Sequence, residues 1–110
     1  MKLNHNAFEG IRTSKKKYEI RLFDEKRKRI KIGDTIVFSK LPELKETVEV
    51  EVTDIINAKS FEKLFHKVTP IDANLPPTFS PRDCADAMLK FYPLEEQEQY
   101  EVVAFKLELV

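Results

Sequence analysis

The chain has 110 residues, 42% hydrophobic and 35% charged, with 19 basic and 19 acidic side chains. This length and composition predict a single folded domain over residues 1–110 and exclude a disordered or fibrous chain. No apolar run approaches the roughly 20 residues of a membrane helix. The first residues after Met1 also lack the apolar core of a signal peptide, so we expect a cytoplasmic protein with no membrane partner.

The charges are distributed unevenly along the chain. Residues 1–45 contain 13 Lys and Arg against 6 Asp and Glu, and residues 46–110 contain 6 against 13. A positive face that binds an anion, most commonly nucleic-acid phosphate, explains this asymmetry. Pairing of the two halves across one small fold explains it equally well, so charge alone leaves both interpretations open.

In the first half of the chain, the pattern predicts one helix and two strands. Apolar side chains at helical spacing predict a helix within Asn4–Arg12, capped by Asn4 or Asn6. Alternation of polar and apolar residues predicts a strand over Lys17–Phe23. A Gly-Asp turn then leads into a second strand over Thr35–Ser39.

The middle of the chain contains the clearest strand. Over Thr47–Ile56, valines alternate with glutamates, so one face is expected to be buried and the other to face water. Two consecutive isoleucines, Ile55 and Ile56, break the alternation and predict a β-bulge. The last strand is expected over Val102–Val110, paired inside the sheet.

Three helices are expected between these strands. The first begins at Ser60 and has an apolar stripe that continues to Val68. The second begins at Ser80, where a capping hydroxyl, a proline and an acid follow the rules for a helix start. A short acidic helix is expected over Leu94–Gln99. The resulting order of elements predicts an α+β fold.

Several kinds of chemistry are disfavoured. The single cysteine, Cys84, falls on the apolar face of the Ser80 helix and is interpreted as a core residue rather than a nucleophile. The two histidines, His5 and His66, have no ligand spacing, so we expect no metal. With only two glycines, the chain has no glycine-rich loop for a phosphate, and we expect no cofactor.

The stretch Ser14–Arg21 places charged residues within a strong strand pattern. Lys16, Glu19 and Arg21 are suited to bind an anionic or polar ligand, and a lysine shielded from water could serve as a base or nucleophile. The simpler alternative, which spacing alone favours, is a set of exposed strand residues in weak ion pairs. In a flat strand Lys16 and Glu19 point to opposite faces, so they converge only if the strand begins after Lys16.

The motif Ser14-x-Lys16-x-x-Glu19-x-Arg21 resembles the Gly-x-Lys-x-x-Glu-x-Arg signature of the ASCH (activating signal cointegrator homology) family, whose fold is similar to the PUA domain. Ser14 stands where the family usually has glycine. The segments Leu22–Arg27, Ile30–Phe38, Lys59–Phe65 and Tyr92–Tyr100 resemble further blocks of the same family, and the final strand over Val102–Leu109 fits it as well. The likeness therefore spans nearly the whole chain.

The resemblance implies a small, partly open PUA-like β-barrel of about five or six strands, flanked by two to four short helices. It also implies a cleft into which Lys16, Glu19 and Arg21 project, and RNA or nucleotide binding as the function. Basic residues of this half of the chain would contact phosphates, and Tyr18 or Phe23 would stack on a base. The basic residues are Lys15, Lys16, Lys17, Lys26, Arg27, Lys28 and Arg29.

A second function is also implied, because some relatives resemble amidohydrolases that remove the acyl group from acetylated cytidine with a lysine, a threonine and a glutamate. Lys16 matches the lysine, whereas Glu19 stands in place of the threonine. In this alternative, Lys16 and Glu19 are the catalytic residues, Arg21 orients the substrate and Asp72 is a candidate second acid. The expected partner is therefore RNA or a nucleoside-like small molecule, with the oligomeric state left open.

Overall fold

A computed structural model describes residues 1–110. The centre of the fold is a curled five-stranded sheet. Its order is β1-β3-β4-β5-β2, so β1 and β2 are the two edge strands. All neighbours are antiparallel except β1 and β3, which are parallel. The strands are β1 (Lys2–Leu3), β2 (Tyr18–Leu22), β3 (Thr35–Lys40), β4 (Thr47–Ala58) and β5 (Val102–Leu109).

Five helices flank the sheet, one more than the upper number expected. They are α1 (His5–Arg12), α2 (Glu25–Lys28), α3 (Phe61–Leu64), α4 (Pro81–Met88) and α5 (Leu94–Tyr100), with a 3-10 turn at Pro70–Ala73. Asn4 caps α1 through a 2.9 Å hydrogen bond from the N–H of Ala7, and Ser80 and Asp83 form the predicted capping box of α4. None of these helices has the length and apolar character that a membrane crossing requires.

The predicted α+β class and the partly open sheet are confirmed. Apolar residues cover both faces of the sheet in two separate clusters, and β5 lies between them. Val102 and Ala104 belong to one cluster, whereas Val103 and Phe105 belong to the other. All four are fully buried, which is why the start of β5 is apolar without interruption.

The bulge in β4 lies at a different residue from the one predicted. Val52 pairs with Leu107 and Asp54 with Lys106, so Thr53 is the extra residue. The consecutive Ile55 and Ile56 have another cause: Ile55 packs on one apolar cluster and Ile56 on the other. Two adjacent apolar residues here indicate burial on both faces of β4.

The helix predicted from Ser60 to Val68 is only one turn long. After α3, the N–H groups of His66 and Lys67 bond to carbonyls three residues back, which tightens the backbone into turns. Val68 is nevertheless buried. Apolar spacing therefore predicted the buried face correctly but not the length of the helix.

Candidate functional site

The turn between α1 and β2 places Lys16. α1 ends at Arg12, and the turn that follows includes Ser14, whose φ of 62° is in the left-handed region. The N–H of Lys16 then donates to the carbonyl of Gly10 at 2.8 Å, and that of Lys17 to the carbonyl of Asp72 at 2.7 Å. A Cβ atom on Gly10 would lie 3.0 Å from the Cβ of Lys16, so glycine allows this loop to lie directly on α1.

Lys16, Glu19 and Arg21 form one buried cluster. Lys16 Nζ donates to Glu19 Oε1 at 2.9 Å, and Arg21 Nη2 donates to Glu19 Oε2 at 3.2 Å. The N–H of Ile20 also donates to Glu19 Oε1 at 3.2 Å. Because β2 begins at Tyr18, Lys16 lies before the strand and meets the condition for convergence with Glu19.

Burial decides the character of this cluster. The side chains of Glu19, Lys16 and Arg21 are only 4%, 9% and 18% exposed. Burial by itself raises the pKa of Glu19, but the charges and hydrogen bonds of Lys16 and Arg21 outweigh it and hold the pKa below its ordinary value. The cluster is therefore not the exposed, weakly paired set that spacing alone favoured.

Arg21 also reaches across the open side of the sheet. Its Nη2 donates to the carbonyl of Lys2 at 3.2 Å, and Lys2 belongs to the opposite edge strand, β1. A cleft of about 440 Å³ lies beside this contact. Its lining includes the three clustered side chains, residues of β1 and α1, and residues between Ala73 in the 3-10 turn and Tyr92.

The far wall of the cleft contains residues that the sequence analysis did not assign to a site: Asn74, Leu75, Met88, Phe91 and Tyr92. Tyr92 is half-buried and stacks on Phe61 with ring centroids 5.8 Å apart. Burial raises the pKa of its phenol, which also lies within the electrostatic influence of Arg21 and Glu19. Phe91 is 63% exposed at the cleft. Tyr92 is the first residue of the Tyr92–Tyr100 segment that resembles the ASCH family. This resemblance is the feature of the sequence that could have assigned Tyr92 to the site.

Other predicted site residues lie outside the cleft. Lys26 and Arg27, at the start of α2, line an adjoining groove that shares Lys2 and Arg21 with the cleft. Lys17, Tyr18, Lys28 and Arg29 line neither cavity. Tyr18 packs instead on the apolar cluster that contains Ile20. Phe23 packs on the other cluster, and the Nζ of Lys28 lies 5.8 Å from its ring centroid.

The structure gives the positions of Asp72 and Cys84, two residues that the sequence analysis considered for catalysis. Asp72 does not line the cleft, which leaves Glu19 as the only carboxylate there. Cys84 is fully buried in the core, as predicted, and burial raises the pKa of its thiol. No group of three or more His, Cys, Asp or Glu side chains is arranged to hold a metal ion.

The curled sheet, its open side and the buried Lys-Glu-Arg cluster define a small α+β protein with a preformed ligand-sized cleft. The chain belongs to the ASCH domain family: the family model matches residues 1–110. This match confirms the resemblance drawn from the signature around Lys16.

Solved structures support the same assignment. A crystal structure of the hypothetical protein PH0355 is similar with a TM-score of 0.80 and 32% identity, covering 100% of both chains. A solution NMR structure of the protein PF0455 from Pyrococcus furiosus has a TM-score of 0.67 and 32% identity, covering 100% of this chain and 98% of that one. A search of curated proteins found no match.

Proposed function

We propose that this protein binds RNA or a nucleotide, with a nucleoside-like group held in the cleft at the Lys16–Glu19–Arg21 cluster. The observation that carries the proposal is a pair of cations fixed at a cleft by one buried carboxylate. Glu19 fixes the positions of Lys16 and Arg21, so little side-chain entropy is lost when a ligand binds. Both cations also have more N–H groups than Glu19 occupies.

The composition of the cleft matches a nucleoside in other respects. Tyr92 and Phe91 supply aromatic faces, on which bases of RNA commonly stack. Asn6 and Asn74 supply amide groups that donate and accept hydrogen bonds. A volume of about 440 Å³ is within the range of small-molecule sites. An RNA base or a free nucleotide therefore suits this cleft in size and in polarity.

A second candidate is an amidohydrolase that acts on an acylated nucleoside such as acetylated cytidine. Lys16 favours it, because its Nζ lies in the cleft beside a carboxylate. The position of Glu19 favours binding instead, since Glu19 already bonds to both cations and no second acid lines the cleft. Incubation with acetylated cytidine and chromatography test this candidate. Turnover by the wild type that is lost in Lys16→Ala would establish the hydrolase, and no turnover would remove it.

A titration of a mixed-sequence RNA hexamer tests the binding proposal. We expect the affinity to fall as salt rises, because phosphate contacts release counterions from the RNA. Lys16→Ala should weaken binding at least tenfold. Lys15→Ala is the matched control, since Lys15 is an exposed neighbour that does not line the cleft. Salt-independent binding, or equal loss in both variants, would contradict the proposal.

A further inference from the structure

The groove next to the cleft has the composition of an anion site. It has a volume of about 490 Å³ and is lined by Met1, Lys2, Arg21, Lys26, Arg27, Ser39 and Leu44. Four of these side chains carry positive charge and none is acidic. Such a concave surface of one sign concentrates counter-ions near it.

We propose that this groove is a phosphate subsite. The protein then binds phosphorylated ligands more tightly than free nucleosides. The inference rests on the proposed function, because it assumes that a base or nucleoside occupies the cleft. Arg21 and Lys2 line both cavities. A single ligand therefore places its base in the cleft and its phosphate in the groove, with Arg21 between them.

The hydrogen bonding of Arg27 supports an acceptor in the groove. Arg27 Nη1 donates to Asp24 Oδ2 at 3.1 Å, whereas its Nη2 donates to no group of the protein. The Nε also has no partner, but it is buried and therefore not open to a ligand in the groove. A phosphate oxygen is a suitable acceptor for the Nη2, since guanidinium groups bind phosphate through more than one N–H.

The lysines of the groove are free to add charge. Lys2 and Lys26 are exposed and take part in none of the ion pairs of the protein. Two acids are close in sequence: Asp24 is already occupied by the guanidinium and the backbone N–H of Arg27, and Glu25 lies 3.7 Å from the Nζ of Lys28. The groove therefore keeps uncompensated positive charge, as a site for a doubly charged phosphate requires.

Helix α2 provides a matched control for this inference. Lys28 and Arg29 follow Lys26 and Arg27 directly and carry the same charges, but they do not line the groove. Lys28 lies instead 3.7 Å from Glu25. The double variants Lys26→Ala/Arg27→Ala and Lys28→Ala/Arg29→Ala therefore have equal net charge, but only the first removes two of the four cationic side chains of the groove.

The experiment is isothermal titration of wild type and both double variants with the four ribonucleosides, their 5′- and 3′-monophosphates and a mixed-sequence RNA hexamer. We expect a phosphate to raise affinity at least tenfold over the nucleoside. This gain should disappear in Lys26→Ala/Arg27→Ala and persist in Lys28→Ala/Arg29→Ala. A gain with one monophosphate series indicates a terminal phosphate, and a gain with the hexamer alone indicates an internucleotide phosphate.

Three results would overturn the inference, and they separate its failure from that of the proposed function. If nucleosides bind but no phosphorylated ligand binds more tightly, the proposed phosphate subsite is contradicted, whereas the proposed nucleoside binding in the cleft is retained. If both double variants lose the gain equally, the attraction is a general effect of charge and the subsite is wrong. If nothing binds at all, both proposals fail. If Lys26→Ala/Arg27→Ala does not fold, the single charge reversals Lys26→Glu and Lys28→Glu give the same comparison, because both positions are exposed.

Discussion

Arg21 joins the two edge strands of the sheet through the carbonyl of Lys2, 3.2 Å from its Nη2. The same nitrogen also donates to Glu19 at 3.2 Å. β1 and β2 are the first and last strands of the sheet order, so this contact bridges the open side of the curled sheet. The residue that completes the charged cluster therefore also holds β1 beside the cleft.

Arg21→Lys is expected to loosen β1. Lysine keeps a positive charge near Glu19, but its flexible stem does not hold one nitrogen between Glu19 and the carbonyl of Lys2 as the planar guanidinium does. The N–H groups of Ser39 and Leu41 report on β1, because they bond to the carbonyls of Met1 and Leu3. Amide hydrogen exchange at these two positions should accelerate, while the N–H of Val52 in β4 should be unaffected. Unchanged exchange at Ser39 and Leu41 would contradict this role.

Glu19→Gln is expected to lower the free energy of unfolding by about 3 kcal/mol, because it leaves two largely buried cations without their counter-charge. Urea denaturation followed by circular dichroism measures the loss. Glu46→Gln is the control: its ion pair with Lys40 has the same 2.9 Å length as that of Lys16 and Glu19, but the Glu46 side chain is 65% exposed. The control should lose less than about 1 kcal/mol. Equal losses would show that burial of Glu19 does not matter.

The stability lost in Glu19→Gln should depend on pH. The pKa of Glu19 is lower in the folded protein than its ordinary value of 4.5. Its contribution to the free energy of unfolding is therefore complete above pH 4.5 and is lost as the pH falls through the folded pKa. The difference between wild type and variant should be constant from pH 7 to pH 5 and shrink in more acidic solution. A difference that grows on acidification would contradict this assignment.

The pKa of Glu9 is also below its ordinary value, so the effect of Glu9 on stability has to be separated from that of Glu19. A hydrogen bond from Arg12 lowers the pKa of Glu9, so wild type loses some stability in acid for this reason as well. Glu9 is present in both proteins, and its effect cancels in their difference. Urea titrations of the two proteins at each pH are therefore compared pairwise.

Ser14→Gly is expected to stabilise the protein by about 1 kcal/mol, because a side chain in the left-handed region is strained and glycine is not. The expected change is an increase in the urea midpoint without a change in slope. Ser14→Ala is the control, since alanine keeps the Cβ and should give no gain. A loss of stability in Ser14→Gly would show that the turn gains more from the serine side chain than it loses in strain.

Local patterns predicted the parts of the site that depend on nearby residues. Lys16 and Glu19 are three residues apart, and the strand boundary at Tyr18 brings them together. The turn that holds Lys16 was visible through the family signature at Ser14. Even so, spacing alone favoured an exposed set, because burial of Glu19 depends on β5, which pairs with β2 but is distant in sequence.

The cleft itself depends on contacts between distant parts of the chain. β1 has only two residues, too short for any periodic pattern, yet it supplies the acceptor for Arg21. Asn74 and Tyr92 reach the site only when the sheet has curled and α4 has packed on it. Likewise, the sequence of four consecutive basic residues does not show that Lys26 and Arg27 line the groove whereas Lys28 and Arg29 do not. This difference arises from the orientation of α2.

The most direct measurement is a map of amide chemical shifts during titration with a mixed-sequence RNA hexamer. We predict that the largest changes occur at Lys16, Ile20, Asn74 and Tyr92, which surround the cleft. Residues of α3, such as Lys63, provide a basic reference outside it. Changes centred on α3, or no changes under conditions where the RNA is bound, would contradict binding at the Lys16–Glu19–Arg21 cluster.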